Sequence, residues 1–163
     1  MSDSEGKARA LSRGPGFWGF LLAHHWPGQL DRCYQIWLGK KPVWFCARCS
    51  GIYPALFVTL IVQFALEVPR SVHDWLWLFV LPLPAVVDWA SSRWGFRRGS
   101  NRARTLTGVL LGIALGRTVY MNMIEPFNSM VGIQIGVLSG IILLVEVTAR
   151  VLRLPRGPDR SER

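Results

Sequence analysis

Acidic residues are scarce in this sequence: ten Asp and Glu stand against nineteen Lys and Arg, a formal charge of +9. Cysteine and histidine are scarcer still, at three each. All three cysteines and two of the histidines fall in one stretch, HHWPGQLDRCYQIWLGKKPVWFCARCSGIY, residues 24–53. An odd cysteine count excludes complete disulfide pairing. There is no second C-x-x-C to complete a four-cysteine pattern, and Ser50 rather than His follows Cys49, which disfavours covalent haem attachment. Charge is nearly absent from four long runs: SGIYPALFVTLIVQFAL (50–66), DWLWLFVLPLPAVVDWA (74–90), TLTGVLLGIALGRTVYMNMI (105–124) and MVGIQIGVLSGIILLVEVTA (130–149). That pattern excludes an ordinary soluble domain, because about 20 apolar residues cross roughly 30 Å of hydrocarbon. No cleavable signal peptide is expected either, since the N-terminus is polar for sixteen residues and then only briefly apolar.

What is present is sorted by position. Seventeen of the basic residues lie in residues 1–48, in the loop 91–104 or in the tail 150–163; the connections 67–73 and 125–129 hold only Arg70, and Arg117 lies inside the third run. Positive charge in short loops is retained on the cytoplasmic side. The reading is therefore a multi-pass protein of the cytoplasmic (inner) membrane with four crossings and both termini cytoplasmic. The basic excess serves topology and attraction to anionic lipid, and no nucleic-acid partner is expected.

The cysteine stretch then faces the cytoplasm, where thiols stay reduced. Cys46 and Cys49 form a C-x-x-C pair that lets two thiolates share one metal. Cys33, with His25 (or His24 in its place), completes a Cys3His set suited to tetrahedral zinc, and soft thiolates also accept iron or Cu(I). Two other readings stay open: inert buried cysteines, or a thiol redox pair in which Cys46 attacks, although no βαβ pattern surrounds the motif. Pro27, Gly28, Gly39 and Pro42 make the intervening chain loop-like. GFWGFLLA (16–23), with Trp26, Trp37 and Trp44, belongs at the lipid–water boundary. A bound metal would supply the folding energy such a cap lacks.

A second cluster lies in VVDWASSRWGFRRGSNRARTLTG (86–108). Ser100 or Asn101 can cap the third helix, and Arg102 and Arg104 then fall in its first turn, where positive charge opposes the helix dipole. Asp88 can repair this by pairing with Arg104, and so can a bound phosphate held by Asn101, Arg102 and Arg104. Glu146 lies near the same membrane depth and is expected to join the cluster. Arg117 is expected to snorkel outward or to bond near Gln134. Gly108, Gly112 and Gly116 in the third run, and Gly132, Gly136 and Gly140 in the fourth, form matching faces that should pack together or serve a homo-oligomer. Pro82 and Pro84 should kink the second helix.

The segments DRCY, CARCSGIYP, PAVVDW and GSNRARTLTG, between about His24 and Gly116, resemble a family of small prokaryotic membrane proteins known as domain of unknown function 2085. By that resemblance Cys46, Arg48, Cys49, Gly51, Tyr53, Asp88, Asn101, Arg104, Thr107 and Gly108 occupy family motif positions. The resemblance implies a multi-spanning inner-membrane protein and no assigned activity. It also favours one shared site for the two clusters.

The expectation is an all-α membrane protein: a disordered tail (1–15), an interfacial Cys/His cap (16–49), a four-helix bundle (50–149) and a basic cytoplasmic tail (150–163). Three functions fit. One is a scaffold or partner-binding subunit with a zinc-stapled cap. Another is an enzyme or carrier for a phosphate-bearing lipid. The last is a thiol redox protein. No reaction is written in these residues.

Overall fold

The computed structural model describes residues 31–38, 41–95 and 100–151. The expected disordered tail, the first half of the cap with His24 and His25, and most of the basic tail lie outside these residues. In chain order the elements are β1 (Cys33–Leu38), β2 (Lys41–Cys46), α1 (Cys49–Leu66), a π-helical turn (Leu76–Val80), α2 (Leu83–Arg93), α3 (Asn101–Ile124) and α4 (Ser129–Val151).

The loop-like reading of residues 33–46 is corrected: β1 and β2 form an antiparallel hairpin, with Cys33 opposite Cys46 and Leu38 opposite Lys41. The paired residues include Tyr34 with Phe45, Gln35 with Trp44 and Ile36 with Val43, aromatic and β-branched types that pack well across strands. Pro42 sits beside the hairpin tip, where a missing donor costs little.

Among the described residues, α1, α3 and α4 are long and apolar enough to cross a membrane. The second apolar run is not one continuous helix. Pro82 has no N–H to give to the Leu78 carbonyl four residues back. Upstream, Leu81 N–H reaches the Leu76 carbonyl, a five-residue step. The orphaned Leu78 carbonyl instead accepts from Gln134 Nε2 of α4 at 2.8 Å. The expected kink is thus a π-turn followed by a fresh helix, with a side chain from α4 filling the gap.

Burial is inverted relative to a water-soluble bundle. In α1 the buried residues are Gly51 and Gln63, whereas Ile61 is 67% exposed. Elsewhere in the bundle Arg104, Arg117 and Gln134 are buried while a broad apolar surface faces outward. Such a surface is stable only against lipid, which is the solvent the apolar runs call for.

The expected pairing of the two glycine faces is also corrected. The face of α3 packs on α1, not on α4. A Cβ at Gly108 would lie 2.5 Å from the Arg48 carbonyl oxygen, and one at Gly116 would lie 2.8 Å from Thr59 Cβ. A Cβ at Gly112 would strike the Ile52 carbonyl, and one at Gly51 of α1 would strike the Thr105 carbonyl. The reason is on α1 itself. Gly51, Ala55 and Thr59 repeat every four residues and offer α3 a second small face. A Cβ at Gly132, Gly136 or Gly140 of α4 would meet nothing within 4 Å among the described residues.

Candidate functional site

The hairpin is fastened to the start of α3 by side chains from both parts. Asn101 Nδ2 donates to the Asp31 carbonyl at 3.0 Å and to the Cys33 carbonyl at 3.4 Å. Thr105 Oγ1 donates to the Ala47 carbonyl at 2.8 Å, and the Tyr34 hydroxyl lies 2.9 Å from Thr105 Oγ1. Ser100 caps α3 by accepting the Ala103 N–H at 3.2 Å. Asn101 is therefore a clamp. Its amide is spent on hairpin backbone, and its Oδ1 accepts from Arg104. Tyr34 and Thr105 are absent from the sequence-based candidates, because only the hairpin brings them together.

The clamp gathers the cysteines. Cys33 and Cys46 are buried and face each other across the hairpin; Cys49 opens α1 and is half-buried. A side-chain hydrogen bond joins Cys46 and Cys49. Burial, reinforced by Cys46 and Asp31, pushes the Cys33 thiol up to about 11. Without a bound metal such a thiol stays neutral at physiological pH. His25 and His24, the expected fourth ligands, lie outside the described residues. Among the described residues, no three His, Cys, Asp or Glu side chains form a group able to hold a metal.

The acidic partner in the second cluster is also reassigned. Asp88 on α2 pairs with Arg48, not with Arg104. Arg48 occupies the turn between Cys46 and Cys49, so this ion pair joins the cysteine turn directly to α2. The motif CARC contained the signal, because its central basic residue sits at the same end of the bundle as Asp88. Arg48 Nε, also buried, has no hydrogen-bond partner among the described residues.

Arg104 is left in an unusual position. It is only 8% exposed. Its one described side-chain hydrogen bond, at 3.2 Å, runs from Nη1 to the neutral Asn101 Oδ1. Arg32, Arg48, Asp31 and Asp88 all lie near enough to influence its charge. None of the described carboxylates pairs with it directly. Arg102, two residues earlier, is exposed. The neighbourhood thus holds three arginines and two aspartates at the positive end of a 24-residue helix.

Glu146 does not join this cluster. Both its oxygens accept from Arg93 at 2.8 Å, a bidentate pair that ties α4 to the end of α2, and Arg150 adds a third bond at 3.0 Å. The cysteine turn, Asp88 and Arg104 therefore lie near one another, with Arg48 as the link, and Glu146 lies apart on Arg93.

Arg117 neither snorkels nor bonds Gln134. It is 4% exposed and donates Nε to Asp74 Oδ1 at 2.8 Å, Nη1 to Gln63 Oε1 at 2.9 Å and Nη2 to the Pro69 carbonyl at 2.9 Å. Asp74 is buried as well and accepts the Ser71 N–H at 3.0 Å. This is a structural knot joining α1, the connection 67–73 and α3. Gln134 is occupied by Leu78 and Thr118.

No curated protein and no solved structure matches the chain. One family model does, over residues 30–118, and it is described as a predicted membrane protein, DUF2085. The matched segment takes in the hairpin, α1, the broken second span and α3 as far as Thr118. These are the parts that carry the clamp, the Arg48–Asp88 pair and the buried Arg117. The chain belongs to the DUF2085 family of predicted membrane proteins.

Proposed function

We propose that this protein crosses the inner membrane four times, with both termini cytoplasmic, and binds a phosphate-bearing ligand where the hairpin meets α3. The π-turn and α2 together make the fourth crossing. The distribution of charge supports the orientation: Arg48, Arg93, Arg102, Arg104 and Arg150 cluster at the hairpin end, while the opposite end carries Arg70 with Glu67 and Glu125. The observation that carries the ligand is Arg104. A buried guanidinium with no carboxylate bonded directly to it costs several kcal/mol. A dianionic phosphate would offset that cost while accepting from Arg104, from the orphaned Arg48 Nε and from the start of α3. Arg102 stands exposed at the approach, suited to drawing an anion in.

The test is binding of dioleoyl phosphatidic acid and of inorganic phosphate to the full chain in nanodiscs of zwitterionic lipid. Saturable binding is expected to the parent, weakened at least about tenfold in Arg104→Gln. Arg104→Lys should restore little, because the planar fork is lost. Binding of the lipid but not of free phosphate identifies a headgroup site, and the reverse identifies a soluble anion. Equal binding by parent and Arg104→Gln would remove the proposal.

The pairing of Cys33 with Cys46 across the hairpin favours a second reading, in which a zinc ion draws in Cys33, Cys46, Cys49 and His25 or His24 to staple the hairpin, although the three thiols do not by themselves form a metal-holding group. Protein purified under reducing conditions should then carry about one zinc per chain, lost in Cys46→Ser together with stability of the hairpin. Metal-free parent protein that melts like Cys46→Ser would exclude the staple.

A further inference from the structure

At the other end of the bundle lies a cavity of about 420 Å³, lined by α1, α3 and the connection that follows α1. That volume is within the range of small-molecule sites. Phe64, Met121 and Ile124 give it an apolar wall. Phe64 meets the Tyr120 ring edge-on, with centroids 5.0 Å apart.

Two polar groups on this wall lack partners. Tyr120 is 4% exposed and lines the cavity, yet among the described residues its hydroxyl makes no hydrogen bond. Glu67, which ends α1 in the left-handed conformation at φ 47°, lines the cavity with no ion pair among the described residues. The other charges here are matched. Arg117 is neutralised by Asp74, and Glu125 accepts from Arg70 at 2.7 Å and from Asn128 at 2.8 Å. Among the described residues the wall therefore has one unmatched charge, and it is negative.

We propose that this cavity binds a primary organic ammonium with an aromatic or alkyl body. The ammonium would pair with Glu67 and donate to the Tyr120 hydroxyl oxygen. The apolar body would lie against Phe64, whose ring face also attracts cations. An anion of the same shape would meet Glu67, which no described cation pairs with, and be repelled. The site is separated from Arg104 by the length of α1, about 27 Å at 1.5 Å per residue, so it stands or falls independently of the phosphate site.

The test uses the full chain in zwitterionic nanodiscs, with phenylbutylammonium as probe and phenylbutanoate as its opposite-charge analogue. Calorimetric titration against empty nanodiscs should show saturable binding of the ammonium alone. Glu67→Gln should weaken it at least about tenfold, and Tyr120→Phe should weaken it several-fold. Glu67 is exposed, so Glu67→Gln should melt like the parent, which separates loss of binding from loss of fold. Ammonium uptake no greater than by empty nanodiscs would overturn the proposal. So would equal binding of the carboxylate, or unchanged affinity in Glu67→Gln.

Discussion

Replacing Gly108 with valine should abolish the folded protein, whereas Gly136→Val, on a similar glycine repeat one helix later, should be almost silent. The first added Cβ would lie 2.5 Å from the Arg48 carbonyl oxygen. That obstacle is backbone, with no rotamer to turn aside, so α1 and α3 must separate. Overpacking a core costs about 1–3 kcal/mol, and more where nothing can yield. Separation also strains the Thr105–Ala47 hydrogen bond and the Arg48–Asp88 pair, which lie beside the same contact. At Gly136 no described residue stands within 4 Å, and valine there merely adds apolar surface to a lipid-facing helix. Fluorescence-detected size-exclusion of the two variants should show an aggregated Gly108→Val and a monodisperse Gly136→Val. If Gly108→Val elutes and melts like the parent, the α1–α3 contact is wrong.

Removal of the Asp74 carboxylate should be the most damaging single change at the opposite end. Asp74 and Arg117 are both buried, at 2% and 4% exposure. Losing one member of a buried pair leaves the other charge without compensation, at a cost of about 3–5 kcal/mol. Asp74→Ala would also release the Ser71 N–H that holds the connection after α1. Asp74→Asn keeps an acceptor and should lose less. The double variant Asp74→Asn/Arg117→Gln should cost less than the sum of its parts, since each single change strands a partner that the double change does not. Unfolding in detergent reads the parent, Asp74→Asn, Arg117→Gln and the double variant, with Asp74→Ala beside them. Strict additivity would mean that Asp74 and Arg117 do not act as a unit.

Three spans were legible because length and missing charge suffice to identify them; α1, α3 and α4 begin and end within a few residues of the first, third and fourth apolar runs. The break in the second run was legible as well, since two prolines must remove donors, but its repair by Gln134 needed the placement of α4. The hairpin was not. Residues 33–46 mix aromatic, apolar and proline positions, and the Gly39-Lys40 pair between the strands is the one local hairpin signal. The glycine faces were visible, but two similar repeats could not be ranked without noticing Gly51, Ala55 and Thr59. Of the polar cluster, its membership was half legible. Cys33, Cys46, Cys49, Asp88, Asn101 and Arg104 do meet at one end. Their pairing was not legible, because Arg48 and Arg104 carry the same charge at the same end and only the packing shows that Arg48 holds Asp88. The Asp74–Arg117 knot was missed for a geometric reason: 43 residues separate the partners, and only the turn at 67–73 brings them face to face.

Arg104 remains the residue on which the functional account turns, and the composition of the purified protein tests it most directly. Lipid and phosphorus analysis should be run side by side on parent and Arg104→Gln protein, extracted gently from native membranes and matched for melting temperature. The account predicts a stoichiometric phosphate-bearing species retained by the parent and depleted in Arg104→Gln, with zwitterionic lipid unchanged. The same phosphorus content in both proteins would contradict it.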